Sequence, residues 1–327
     1  MRQQIKRSEY MDIAKGISLL AVILGHCQLG LIDQFFYIFH LPLFFIISGY
    51  FFKPYDLQIF LQKKIKSHLI PFLTCGIFLS IVEGSKLILE THSISPVYFI
   101  NQFVRIVILQ QRETTLWFLT TLFLGILIFY FIVKIGETNK KIFMASSILS
   151  LVFIFYDMWI GQPLLWNLDT ACIIQIFLVI GYICKKQRLL EKLIDHEKKW
   201  SLALSFTSLA ILFSLINYWI TGKTFDMFHS SYGIFPLTIS AAILLSLAIL
   251  IVSKQIHSKT LSYLGQNSMV YFAFHQSVAL SLALKITRKL PLPTVFNKLV
   301  LIVLVFGFCF IMDRIIQNTY LKKLMGK

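Results

Sequence analysis

Long apolar runs alternate with short polar or basic clusters along almost the whole chain. Ten of these runs come near the ~20 residues a helix needs to cross a bilayer. They fall at about 12–30, 35–52, 69–89, 115–133, 142–160, 168–184, 200–220, 233–252, 267–286 and 296–313. A backbone in lipid must satisfy its own polar groups, and at these lengths only helices do so. The pattern predicts an all-α, polytopic transmembrane bundle of about ten spans. It forms one integral membrane domain over 1–327, with no soluble domain. The longest connection, about 90–114, contains VYFINQFVRIVIL. It is too short and too interrupted by polar residues to span, so it reads as an interfacial helix on the outer surface.

Composition supports this class. Hydrophobic residues are 57% of the chain, charged residues 14%, and the mean hydropathy is +0.75, too little polar surface for a water-soluble protein of this length. The start, MRQQIKR before an apolar run, imitates a signal peptide. No small-residue cleavage site follows, and the run carries Asp12 and Lys15, so it reads as a retained first span.

A net charge of +16 raises nucleic acid as a partner, but the distribution of the charge argues against it. With the N-terminus inside, 22 of the 31 Lys and Arg fall in inner segments and 8 in outer loops or outer span ends. This bias predicts that both termini are inside, in a plasma (inner) membrane, with the lipid bilayer as partner and no nucleic acid. The cluster Lys285–Lys298 is outer in this arrangement. The five cysteines all lie in apolar runs without a C-x-x-C pair, which reads as buried thiols rather than a disulfide framework or metal site.

Chemistry concentrates in the first span. Asp12, Lys15 and His26 share one apolar helix, and intramembrane ionisable groups point to function. Lys15 and His26 are eleven residues apart, nearly three turns, so they face the same way about 16 Å apart. Asp12 and Lys15, at i,i+3, also fit a snorkelling pair at the inner interface. Spans one and two form a hairpin through a turn near Leu31–Gln34, which brings His26 and His40 to similar depth in the outer half. A neutral imidazole there can serve as a general base on a hydroxyl.

Other candidates lie nearby. The inner loop FLQKKIKSHLIP carries Lys63, Lys64 and Lys66, topological anchors that can also hold phosphate as point charges. Ser48-Gly49 permits close helix approach or lines a cavity. Pro42 perturbs span two near its outer end. Trp117 is an aromatic-belt anchor or a wall of the outer site. Glu83 and Lys86 form an i,i+3 pair, and His275 either packs or lines a cavity.

These residues resemble a known family. Asp12-IAKG-Gly16, Lys15 with His26, Phe39-HLPLFFIISGYFF-Phe52, the LWFL of Leu116–Leu119 and the segment Gly265–His275 are similar to the acyltransferase-3 family of integral membrane acyltransferases, in particular its fucose-4-O-acetylase-like branch. The resemblance spans nearly the whole chain. It implies a cytoplasmic acyl-CoA donor, acetyl-CoA as co-substrate, no metal, and a sugar hydroxyl of a cell-surface or exported polysaccharide as acceptor. Carried over, His26 is the catalytic histidine, Lys15 its basic partner, and Asp12 belongs to the same motif. Lys63, Lys64 and Lys66 stand for the family's basic donor-binding loop. His40, Trp117 and Ser48 would bind the acceptor. Gln175 stands where the family pattern has Pro. The alternatives are a transporter or exporter of a glycan or amino acid, or an acyltransferase using succinyl-CoA or another donor. A transporter more often shows paired halves with broken helices, and no such symmetry is visible in the sequence.

Overall fold

The apolar runs fold as helices, and the breaks between them fall at Gly, Pro and polar turns. A computed structural model describes residues 8–325. Arg2, Lys6, Arg7 and Lys327, counted above among the inner basic residues, lie outside the described residues. The first half comprises α1 (Glu9–Gly25), α2 (Leu31–Tyr50), α3 (Leu57–Lys64), α4 (Ile70–Thr91), α5 (Pro96–Phe103), α6 (Trp117–Ile135) and α7 (Asn139–Trp159). It continues with α8 (Leu168–Ile173), α9 (Gln175–Lys186), α10 (Leu189–Ile194), α11 (Lys199–Thr221), α12 (Phe235–Ser253), α13 (Lys259–Gln266), α14 (Ser268–Phe274), α15 (Ser281–Thr287), α16 (Thr294–Gln317) and α17 (Leu321–Leu324). Segments of π-helix lie at Ile65–Leu69, Val104–Leu109 and His275–Leu280. Among the described residues no strand forms, only an isolated bridge between Asp226 and Ser231.

Among the described residues eight helices are long and apolar enough to cross a membrane, or nine if the pair bent by 51° between Ile173 and Gln175 is one span. This is a multi-pass, all-helical membrane protein. Nine of the ten expected runs each fall on one of these elements, and the first falls on α1, which is shorter at 17 residues. The bend is stabilised by a side chain. Gln175 Nε2 donates to the carbonyls of Ala171 (2.7 Å) and Gly125 (3.0 Å).

Two boundaries differ from expectation. α1 stops at Gly25, and the hairpin turn is Cys27–Gly30 rather than Leu31–Gln34. Gln28 and Gly30 adopt positive φ, and the Gly30 N–H donates to Asp33 Oδ2 at 3.1 Å, which starts α2 earlier. The segment FLQKKIKSHLIP is not a loop. It is helical from Leu57, and Lys63, Lys64 and Lys66 stand on a continuous 35-residue helical stretch, Leu57–Thr91. Lysine is a good helix former, and no Pro or Gly lies between Leu57 and Pro71. Just before Pro71, which has no N–H, the ladder widens into the π-turn, and the Ile70 N–H donates to the Ile65 carbonyl. α2 itself runs unbroken through Pro42.

α2 is central and packs on α1, α9 and α12, while α1 also lies along α13. Two crossings require glycine. A Cβ on Gly16 would collide with the Leu261 carbonyl of α13, and one on Gly265 with the Asp12 carbonyl of α1. Gly49 meets the Leu178 backbone of α9 in the same way, and Gly181 meets Ile46 of α2. Such small-residue contacts let backbones approach closely in lipid. In Gly49→Ala the new Cβ would lie 2.8 Å from the Leu178 carbonyl carbon. This overpacking should cost about 1–3 kcal/mol and lower the melting temperature of the purified protein in detergent. An unchanged transition would show that α2 and α9 can part without penalty.

The outer helices turn apolar side chains away from the protein. Leu204, Leu215 and Trp219 of α11, Val303 and Ile311 of α16, and Ile148 and Val152 of α7 are exposed, as lipid contact requires. All five cysteines are buried and free.

Candidate active site

Three imidazoles converge at the end of the α1–α2 hairpin. His26 caps α1, His40 lies within α2, and His275 opens the π-segment that follows α14. Each donates from Nδ1 to a carbonyl of its own helix: His26 to Val22 (2.8 Å), His40 to Phe36 (2.7 Å) and His275 to Phe272 (2.9 Å). A carbonyl can only accept, so Nδ1 carries a proton in all three, and in the neutral ring Nε2 keeps its lone pair. His275 Nε2 is buried and makes no hydrogen bond among the described residues. The His26 and His275 rings meet edge to face at 5.0 Å, and Tyr37 stands 5.1 Å from His40 and 6.1 Å from His26. These side chains line one cavity of about 230 Å³, with Thr115, Trp117, Phe228 and His229 among its other walls.

The sequence expectations divide at this point. His26, His40 and Trp117 come together, and His275 joins them by lining the cavity. Trp117 is 4% exposed, so it is a cavity wall and not a lipid-interface anchor. Ser48 is elsewhere. It lines a second cavity of about 210 Å³ with Lys15, His68 and Ser268. Lys15 Nζ lies 3.8 Å from Asp12 Oδ1, and Asp12 is buried. His68 Nδ1 lies 2.6 Å from Ser67 Oγ. Lys63, Lys64 and Lys66 line neither cavity. The Lys63 ammonium sits 3.5 Å from the Tyr55 ring centroid, and that of Lys64 5.8 Å from Phe60. Glu83 and Lys86 form the expected pair at 2.9 Å.

Two features escaped the sequence reading. The first is the turn Asp226–Ser231, whose residues Asp226 to His229 wall the cavity of the imidazoles. Asp226 Oδ1 accepts from the Phe228 N–H at 2.8 Å, and Oδ2 lies 2.6 Å from His229 Nδ1. Only the D-x-x-H spacing in a polar connection signalled it. The second is a buried ionic cluster beneath that turn. Arg112 Nη2 donates to Asp157 Oδ2 at 2.9 Å, to Thr170 Oγ1 at 3.1 Å and to Asp169. Its Nη1 donates to the Phe228 carbonyl at 3.2 Å and to Ser230. Tyr232 donates to the same Asp157 oxygen at 2.9 Å. Burial, then the Asp157 carboxylate, raises the Tyr232 phenol well above its ordinary range, so it remains a donor. The sequence signal was Asp157 and Asp169 inside apolar runs.

Among the described residues no group of three or more His, Cys, Asp or Glu side chains is arranged to hold a metal ion. A family model described as an acyltransferase domain, that of the acyltransferase-3 family, matches residues 8–314. This chain belongs to that family. No curated protein and no solved structure matches it. The match covers both cavities of the acyltransferase, from Asp12 to His275, and all three imidazoles. Lys15 and His26, on one helix, thus open into different cavities of a membrane acyltransferase.

Proposed function

We propose that this acyltransferase moves an acetyl group from cytoplasmic acetyl-CoA to a sugar hydroxyl of a cell-surface or exported polysaccharide, as in the fucose-4-O-acetylase-like branch. It would do so from the plasma membrane, with ten crossings and both termini inside. The observation that carries this reading is the pair of cavities along α1, one at Lys15 and one at His26. A cation stands in one and an unprotonated imidazole nitrogen in the other, about 16 Å apart along the helix. That separation suits an extended thioester arm whose phosphates stay on the cytoplasmic side.

In this reading Lys15 attracts the donor's phosphate end, with Lys63, Lys64 and Lys66 supplying further positive charge on the cytoplasmic side. His26 Nε2 takes the proton of the acceptor hydroxyl. The hydroxyl oxygen then attacks the thioester carbonyl, the C–S bond breaks, and the thiol leaves with a proton. In a second route Nε2 attacks the carbonyl itself, and the acetyl group passes to the hydroxyl in a separate step. In both, the Nδ1–H bond to the Val22 carbonyl fixes the tautomer and supports the positive charge that develops on the ring. His40 and Trp117 would shape the acceptor side, while Ser48, beside Lys15, is better placed to meet the donor arm.

Lys15→Met should raise the KM for acetyl-CoA about 10- to 100-fold, the range for losing one charged contact, with a smaller effect on kcat. Steady-state kinetics with purified protein would read this, and an unchanged KM would remove Lys15 from donor binding. The function is tested in a strain lacking the protein. O-acetyl content of its cell-surface glycan should fall and return with the wild-type chain but not with His26→Ala. Unaltered O-acetylation in the deletion strain would sink the reading.

A further inference from the structure

Phe272 stands in the walls of both cavities. Lys15 lies on one side of it and His26 on the other. Its ring meets that of Phe118 at 4.7 Å and that of His275 at 5.9 Å. Phe118 in turn stacks on Phe45 at 5.2 Å and meets Phe44 at 5.7 Å. Rings from α2, α6 and α14 therefore form one aromatic layer between the two cavities. Phe272 is 6% exposed, so it is buried inside the protein between the two cavities. The backbone is irregular on both sides of its helix. Asn267 precedes α14 at φ −107°, and the π-segment follows it at His275.

We propose that Phe272, held by Phe118, limits which acyl groups can reach His26, admitting short uncharged ones such as acetyl and propionyl and rejecting butyryl and succinyl. The proposal rests on the reading of this chain as an acyl-CoA-dependent transferase. A thioester extending from Lys15 to His26 must lay its acyl carbons against this layer. One methylene too many in an apolar site is discriminated by about 10- to 200-fold. A terminal carboxylate would enter a layer of rings that offers it no hydrogen-bond donor, and an unpaired buried charge is strongly disfavoured. Phe272 thus acts as a specificity-determining residue and not as a catalytic one.

The test compares wild type, Phe272→Ala and Phe272→Leu, purified and given acetyl-, propionyl-, butyryl- or succinyl-CoA with the same glycan preparation. Products are read by mass. Wild type should transfer butyryl about 100-fold less readily than acetyl, judged by kcat/KM. Phe272→Ala should raise the butyryl-to-acetyl ratio about tenfold or more, with Phe272→Leu in between. Phe272→Leu keeps an apolar side chain in the layer and serves where the alanine variant does not fold. A folded variant with the wild-type ratio would overturn the proposal. So would a wild type that uses butyryl as readily as acetyl. Failure of the wild type with all donors would overturn the transferase reading and this proposal with it, a result distinct from an unchanged ratio.

Discussion

His26→Ala is expected to reduce acyl transfer by about 10²- to 10⁴-fold, the range for losing a positioned general base, while the protein still inserts and folds. The geometry separates the two effects. His26 sits at the last turn of α1, is only partly buried, and its ring bonds, among the described residues, only to the Val22 carbonyl of the same helix. Removing it breaks no contact that ties two helices together by hydrogen bonding. The stability loss should stay near the ~1 kcal/mol typical of a point substitution. His26→Gln should be equally inactive, because an amide has no basic ring nitrogen to receive a proton. Both variants should elute as wild type in size-exclusion chromatography and melt within a few degrees of it. Retained transfer in either would show that His40 or His275, not His26, carries the reaction.

The largest stability effect is expected at Arg112→Met. This guanidinium is 8% exposed and faces Asp157 and Asp169, both at 2% or less. Its loss leaves two carboxylates in a buried site without a cation. Breaking a buried ion pair from one side costs about 3–5 kcal/mol, because the remaining charge stays desolvated. Replacing all three together, as Arg112→Met with Asp157→Asn and Asp169→Asn, should recover much of that loss. Thermal unfolding in detergent would measure both. The Arg112→Met variant should also lose activity, since the Phe228 carbonyl is held by the same guanidinium and Phe228 walls the cavity of His26. A variant that melts like wild type would mean that the cluster does not hold the connections around Arg112, Asp169 and Ser230 together.

The membrane architecture was readable because the bilayer imposes its requirement segment by segment, so apolar length alone finds the helices. Lys15 and His26 were readable for a related reason. They share one helix, and helical rise and twist fix their relation without any tertiary knowledge. His40 followed from hairpin geometry, although the turn lies a few residues earlier than Leu31–Gln34. Gly30 and Asp33 carried that signal. Ser48 was assigned to the outer side with His40, yet eight residues of helix put it about 12 Å away along α2, which is enough to reach the Lys15 cavity. The helix through Lys63, Lys64 and Lys66 was not readable, since its polar composition is equally that of a loop. His68, His275 and the Arg112 cluster depend on contacts between distant segments. Composition could flag Asp157 and Asp169 as unusual but could not say what they face.

The Arg112 cluster also bears on the order in which the molecule can be completed. Arg112 is synthesised first, and Asp157, Asp169 and Ser230 follow 45, 57 and 118 residues later. An unpaired guanidinium cannot be buried at low cost, so it must remain hydrated at the membrane surface until the two acids arrive. The hairpin turn from Asp226 to Ser231 docks only after that, onto a cation already in place. A nascent chain that stops before Phe225 therefore has His26 and His40 but lacks Phe228, His229 and His275, and the cavity around its two histidines stays open. The walls around His26 are thus closed late in synthesis, by residues that run from Phe225 to Gln276.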